Sequence, residues 1–125
     1  MNWQFENDLP IYSQIVHKYS LAIASGELKP GEKLPAVRDA AFQAGVNPNT
    51  MQRAFQELER LGLVYTQRSS GRYVTDDPDI INVTRKKLAG ESVGSFLRSM
   101  SALGLNREQI IELIKDEKEN MNGNI

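Results

Sequence analysis

Residues 45–55 read GVNPNTMQRAF, and five side chains that can form hydrogen bonds crowd what the pattern predicts to be a helix start. These are Asn47, Asn49, Thr50, Gln52 and Arg53. Amides of Asn and Gln match the donor–acceptor pair on the edge of adenine, and a guanidinium matches the two acceptors of guanine. Free backbone N–H groups at a helix start, with its positive dipole end, also suit a phosphate. Catalytic chemistry is poorly provided for. Cysteine is absent, and the single histidine, His17, lies inside a helical pattern. Asp76, Asp77 and Asp79 lack the glycine and distal glutamate of a calcium loop and read as a helix start with favourable charge. Glu112, Asp116 and Glu119 alternate with Lys115 and Lys118 on one helix, which reads as a solvated face. The sequence thus predicts no enzyme, no cofactor and no metal site.

Each polar residue near position 50 also has a simpler explanation. Asn47 is a favoured N-cap, Pro48 suits the first helical position, and a polar outer stripe is ordinarily a solvated face. The surrounding elements carry more weight than any one of these residues.

A helix is predicted from Asp8 and Pro10 to about Ser25, with Ile11, Ile15, Tyr19, Leu21 or Ala22, and Ile23 facing inward. Trp3 and Phe5 alternate with polar residues as in a short, half-buried strand. Lys29-Pro30-Gly31-Glu32 is a turn. A second helix spans about Ala36 to Ala44, with Val37, Ala40, Ala41 and Ala44 inward and Gly45 just past its end. The third places Met51, Ala54, Phe55, Leu58 and Leu61 on one stripe and Asn49, Gln52, Arg53, Gln56 and Arg60 on the other. Leu63–Gln67 and Arg72–Thr75 read as strands joined by a hairpin tip at 68–71.

Beyond Asp76–Asp79, a long helix from about Pro78 to Leu103 carries Gly90 and Gly94, which could bend it. A last helix opens at Asn106, where Gln109 completes a capping-box pattern and Leu105 and Ile110 suit a hydrophobic staple. Its apolar face is expected to continue to Met121, with the tail 122–125 frayed.

Three helices and a two-stranded hairpin make a mainly α fold with a small β-wing: a winged helix-turn-helix over residues 1–75. In that motif the third helix enters the DNA major groove and its N-terminal residues meet the bases. The wing, through Ser70, Gly71 and Arg72, with Arg68 beside them, can place a cation against the backbone or in the minor groove. Residues 1–75 hold 8 Lys/Arg and 7 Asp/Glu, 76–125 hold 7 and 9, and the formal net charge is −1. DNA contact therefore depends on where a few bases are placed, not on bulk charge. No apolar run reaches membrane-spanning length and no signal-peptide pattern opens the chain, so a cytoplasmic location away from membranes is expected.

The stretches Leu34-Pro35-Ala36-Val37-Arg38, Gly45–Met51 and Ala54–Leu63 resemble the GntR family of bacterial transcription regulators. Pro10–Ile15 and Gly26–Pro35 resemble its opening helix and first loop. The asparagine-proline-asparagine-threonine form and the short C-terminal part resemble its YtrA subfamily. The resemblance implies that Arg38 contacts DNA, that Thr50 is the recognition-helix threonine, that positions 47, 49 and 52 vary with the operator, and that Gly71 is the second wing glycine. Ala36 and Ser69 depart from the common serine and glycine. By the same resemblance, targets include the regulator's own operon and neighbouring transporter genes.

About fifty residues follow the wing, too few to wall a metabolite pocket in one chain. Ile81, Leu88, Val93, Phe96, Leu97, Met100, Ile110 and Ile114 would be poorly covered in a monomer. They are expected to form a homodimer interface about a two-fold axis, making 76–125 a helical dimerisation region. Such a dimer would bind a double-stranded, pseudo-palindromic operator, most simply as a repressor, with any small-molecule effector excluded from the single chain. The alternative is a winged-helix module that binds protein instead of duplex DNA. Arg38, Arg53, Arg68 and Arg72 on one surface would favour DNA.

Overall fold

The computed structural model describes residues 1–117; Lys118, Glu119, Met121 and the tail 122–125 lie outside the described residues. Helix α1 (Ile11–Ser25) is followed by α2 (Val37–Ala44), α3 (Pro48–Arg60), strands β1 (Val64–Gln67) and β2 (Gly71–Val74), α4 (Pro78–Ala102) and α5 (Arg107–Asp116). Contacts divide the chain into two compact units, Met1–Leu88 and Ala89 onward. Helix α4 is continuous through Gly90 and Gly94, so neither glycine interrupts it.

The core of the first unit is built from the predicted stripes. Ile15, Tyr19 and Ile23 of α1 meet Ala40, Ala41 and Ala44 of α2 and Met51, Ala54, Phe55 and Leu58 of α3. Ala22, not Leu21, is the buried alternative on α1, and Leu61 lies at the exposed margin of the α3 stripe. Tyr19 meets Phe55 edge-on with ring centroids 5.5 Å apart, and burial pushes its phenol up to about 12. Three alanines on α2 let its backbone lie close to α3. Gly45 then turns the chain at φ 71°, in the left-handed region that glycine enters without strain.

The hairpin pairs Val64 with Val74 and Gln67 with Gly71, one residue earlier on β2 than expected. Two features differ from the sequence reading. Residues 1–6 form no strand; instead Trp3 stacks on Phe5 at 5.6 Å and tilts against Tyr19 at 5.8 Å, so the alternation reflects packing onto the core. The loop before α2 adds a third segment beside β2. There Gly31 N–H donates to the Val74 carbonyl (2.9 Å), Val74 N–H to that of Glu32 (2.8 Å), and Leu34 N–H to that of Arg72 (2.9 Å).

The first unit also reaches past Thr75. Thr75 Oγ1 accepts from Asp77 N–H (3.1 Å), and Asp77 Oδ1 caps α4 by accepting from Asp79 N–H (2.9 Å). Ile81, expected at a dimer interface, is 8% exposed and belongs to this core, with Ile80 packed against it. Arg85 Nε donates to the Ala24 carbonyl at the end of α1 (3.0 Å). In the second unit the Asn106–Gln109 capping box is complete in both directions. Ile110 is 4% exposed, so it too is covered within the chain.

Candidate nucleic-acid interface

The exposed surface of α3 follows from its buried one. With Met51, Ala54, Phe55 and Leu58 inward, a period of 3.6 turns Asn49, Gln52, Arg53 and Gln56 outward. Asn49 is exposed, and Thr50 and Gln52 are half-buried. The Asn49 and Gln52 amides have no hydrogen-bond partner among the described residues, which leaves their donors and acceptors available to a base edge.

Asn47 performs the simpler of its two roles. Its Oδ1 accepts from Asn49 N–H at 2.7 Å. The Thr50 and Met51 amides bond to the Asn47 carbonyl at 3.0 and 3.1 Å, and Pro48 has no N–H to give. The phosphate site expected at the start of α3 is therefore already filled by the chain's own acceptors. The open helix start is that of α2. Ala36 supplies no side-chain cap, so the amides of this first turn are not satisfied by a side chain. Arg38 in that turn is exposed and without an ion pair among the described residues. A cleft of about 920 Å³ runs between the first turn of α2 and the wing, lined by residues that include Lys33, Ala36, Asp39, Gln43, Ser70 and Arg72. Amides at a dipole's positive end beside a free guanidinium suit a phosphate oxygen.

The two remaining arginines are less free than their positions in the sequence suggest. The Arg53 guanidinium carbon lies 3.7 Å from the ring centroid of Tyr12 on α1. Arg72 Nε donates to Glu59 Oε1 at 2.6 Å, its side chain is only 21% exposed, and its guanidinium lies 5.5 Å from the Phe55 ring. Thr66 Oγ1 donates to the other Glu59 oxygen at 2.9 Å. Glu59 thus ties both wing strands to α3, and Arg72 acts as a wing anchor, not as a free cation. Arg68 at the hairpin tip is the exposed cation of the wing. Ser70 bonds to the Tyr73 hydroxyl, and the Tyr65 and Tyr73 rings stack at 5.8 Å across the strands.

The two wing positions with special backbone behave differently. Gly71 has φ 124°, a backbone conformation that favours glycine, and a Cβ there would lie 3.1 Å from Lys33 Cε, at the movable end of that side chain. Ser69 adopts φ 66° where the resemblance prefers glycine. The hairpin keeps its left-handed residue at a cost of roughly 1 kcal/mol.

Glu59, Lys33 and Tyr12 were not singled out by sequence reasoning. Their partners lie on other elements, and no spacing rule reports them. Glu59 gives a direct prediction. Burial of its carboxylate opposes ionisation, but hydrogen bonds from Arg72 and Thr66 together with the Arg72 charge outweigh it and hold the pKa below the usual glutamate value. The stabilisation is complete above the usual glutamate range and is lost as pH falls through the lowered folded value. Glu59→Gln should speed hydrogen exchange of the wing amides at neutral pH and abolish the acid-side step expected of the parent chain. DNA affinity should fall by at most about fivefold, the limit for a partly exposed ion pair, with base preference intact. Unchanged exchange would show that Glu59 does not hold the wing.

A helix-turn-helix with a hairpin wing, an unsatisfied polar face on the third helix and an open second-helix start defines a winged-helix DNA-binding regulator. The profile of the bacterial regulatory proteins of the gntR family matches residues 11–74, and the chain belongs to that family. It is 42% identical over 115 residues to the uncharacterized HTH-type transcriptional regulator YhcF of Bacillus subtilis, covering 92% of this chain and 95% of YhcF. It is 33% identical over 115 residues to the HTH-type transcriptional repressor YtrA of the same organism, covering 91% and 88%. These near end-to-end matches fit the short YtrA subfamily. A GntR family transcriptional regulator from Listeria monocytogenes superposes with a TM-score of 0.83 at 39% identity, covering 91% of this chain and all of that one. The DNA-binding domain of AraR, solved in complex with operator ORX1, superposes with a TM-score of 0.55 at 28% identity over 60% of this chain and 96% of that one. The chain is thus a transcription regulator with a GntR DNA-binding domain.

Proposed function

We propose that the protein is a homodimeric repressor whose two winged helices read the halves of a pseudo-palindromic operator. Asn49, Thr50 and Gln52 face base edges, while Arg38, Arg68 and the first turn of α2 hold the phosphate backbone. Asn47 presents only its amide nitrogen, since its oxygen caps α3, and Ser70, Gly71 and Arg72 shape the wing. The observation that supports the dimer is the apolar surface of the second unit. Val93 is 54% exposed, Phe96 41% and Ile114 47%, with Leu103, Ile111 and Leu113 exposed as well. Leu97 and Met100 there are half-buried, as is Leu88 at the end of the first unit. Exposed patches of this kind mark interfaces, and a second copy satisfies them by symmetry.

Ile81 and Ile110 are left out of this interface because each is already covered in its own unit. We take residues 1–75 as the DNA-binding part and 76–125 as the dimerisation part, with the first turns of α4 packed on the DNA-binding part. Any small-molecule effector binds between subunits. Repression is supported by the name of the relative YtrA, and a cytoplasmic location follows from DNA as the partner. Titrating the chain against a duplex selected from a random pool tests the reading. Two chains per duplex are expected, and saturation at one chain per duplex would refute it.

A further inference from the structure

We propose that Tyr12 is a specificity-determining residue for DNA readout, acting through Arg53 by holding its guanidinium ready for a guanine edge. The inference rests on the proposed reading that α3 enters the major groove, and adds a residue outside both the helix-turn-helix and the wing. Tyr12 sits in the first turn of α1, half-buried, with its ring against the core. Arg53 lies on the outward stripe of α3, and its guanidinium carbon is 3.7 Å from the Tyr12 ring centroid. That separation fixes the mode of contact. At 3.7 Å from the centroid the guanidinium carbon lies over the ring face and not at its edge. N–H groups directed away from the ring stay available to an acceptor.

The stack leaves those donors unspent. Glu57, one turn along α3, is within electrostatic reach of Arg53, but its carboxylate is held by Arg60 at 2.6 and 2.8 Å. Arg53 makes no ion pair among the described residues. A long arginine side chain ordinarily loses rotamer freedom when it binds a base. Here the ring has already restricted it, so bidentate pairing with guanine O6 and N7 requires less ordering.

The experiment uses the full chain, a duplex selected from a random pool, and the single-base variants of that duplex. Tyr12→Phe keeps the ring and should keep base preference within about twofold. Tyr12→Leu should lower discrimination at one symmetric pair of positions by about fivefold per half-site, the size of an exposed cation–π contact. In the Arg53→Ala background Tyr12→Leu should change nothing further at that position. Arg53→Lys leaves Tyr12 in place and should lose the same preference, so the test survives if Tyr12→Leu folds poorly. The proposal is overturned if Tyr12→Phe is as damaging as Tyr12→Leu, because the hydroxyl would then be the acting group. It is overturned equally if Tyr12→Leu weakens binding to every duplex alike, or if Arg53→Ala and Arg53→Lys leave base preference unchanged. In those cases a sequence is still selected and the winged-helix reading stands. If no sequence is enriched from the pool, that reading fails and this proposal with it.

Discussion

A chain ending after Leu88 should sediment as a monomer and bind a two-half-site duplex about a hundredfold or more weakly than the full chain. The weakening follows from the loss of linkage. Two half-sites held by one dimer make the second contact intramolecular, and that advantage is worth about two to four orders of magnitude. The truncation point matters. Ending at Thr75, where the sequence places the boundary, would strip Ile81 from the core and remove Arg85 from the end of α1. Losing a buried isoleucine side chain costs about 2–5 kcal/mol, so that shorter chain would test stability and not assembly. Phe96→Glu in the full chain gives an independent check by burying charge in the proposed interface. If the chain ending at Leu88 still sediments as a dimer, the interface lies elsewhere. Calorimetry finding a tight small-molecule site in that same truncated chain would contradict the placement of any effector between subunits.

Gln52→Ala should relax preference at one symmetric pair of operator positions, at about 1–3 kcal/mol per contact, while leaving the salt dependence of binding nearly unchanged. The amide carries no charge, so its loss releases no counterion. Arg38→Ala and Arg68→Ala should do the reverse, weakening all duplexes alike and flattening the salt slope by about one unit per subunit. Arg72→Ala should flatten it less, because Glu59 already balances that charge at 2.6 Å. Affinities for the selected duplex and its single-base variants at several salt concentrations separate these outcomes. Uniform loss in Gln52→Ala, with base preference intact, would make Gln52 a solvated helix residue and move the readout to Asn49 and Arg53.

Local rules made much of the fold legible. Asn47 and Pro48 mark the start of α3, Asn106 and Gln109 that of α5, and spacings of three and four identify the buried faces. The side-chain chemistry on α3 was legible for the same reason, since whatever is not inward must point out. What escaped was set by contacts between elements. Trp3 and Phe5 alternate like a strand because both rings reach the core, and period-two spacing cannot tell that from sheet pairing. Arg72 and Arg53 are bases in the sequence, yet one is held by Glu59 thirteen residues away and the other by Tyr12 on another helix. Ile81 belongs to an apolar pattern that continues down α4, and periodicity does not say where along a helix one core ends. At the start of α3 Asn47 spends its oxygen on the Asn49 amide, whereas the first turn of α2, behind Ala36, has no side-chain cap.

If two copies of this chain read a symmetric DNA sequence, selecting bound duplexes from a random pool with the full chain should enrich a pseudo-palindrome, with half-site centres separated by about one helical turn of DNA or a multiple of it. Enrichment of no sequence, or of a single half-site without its inverted copy, would contradict it.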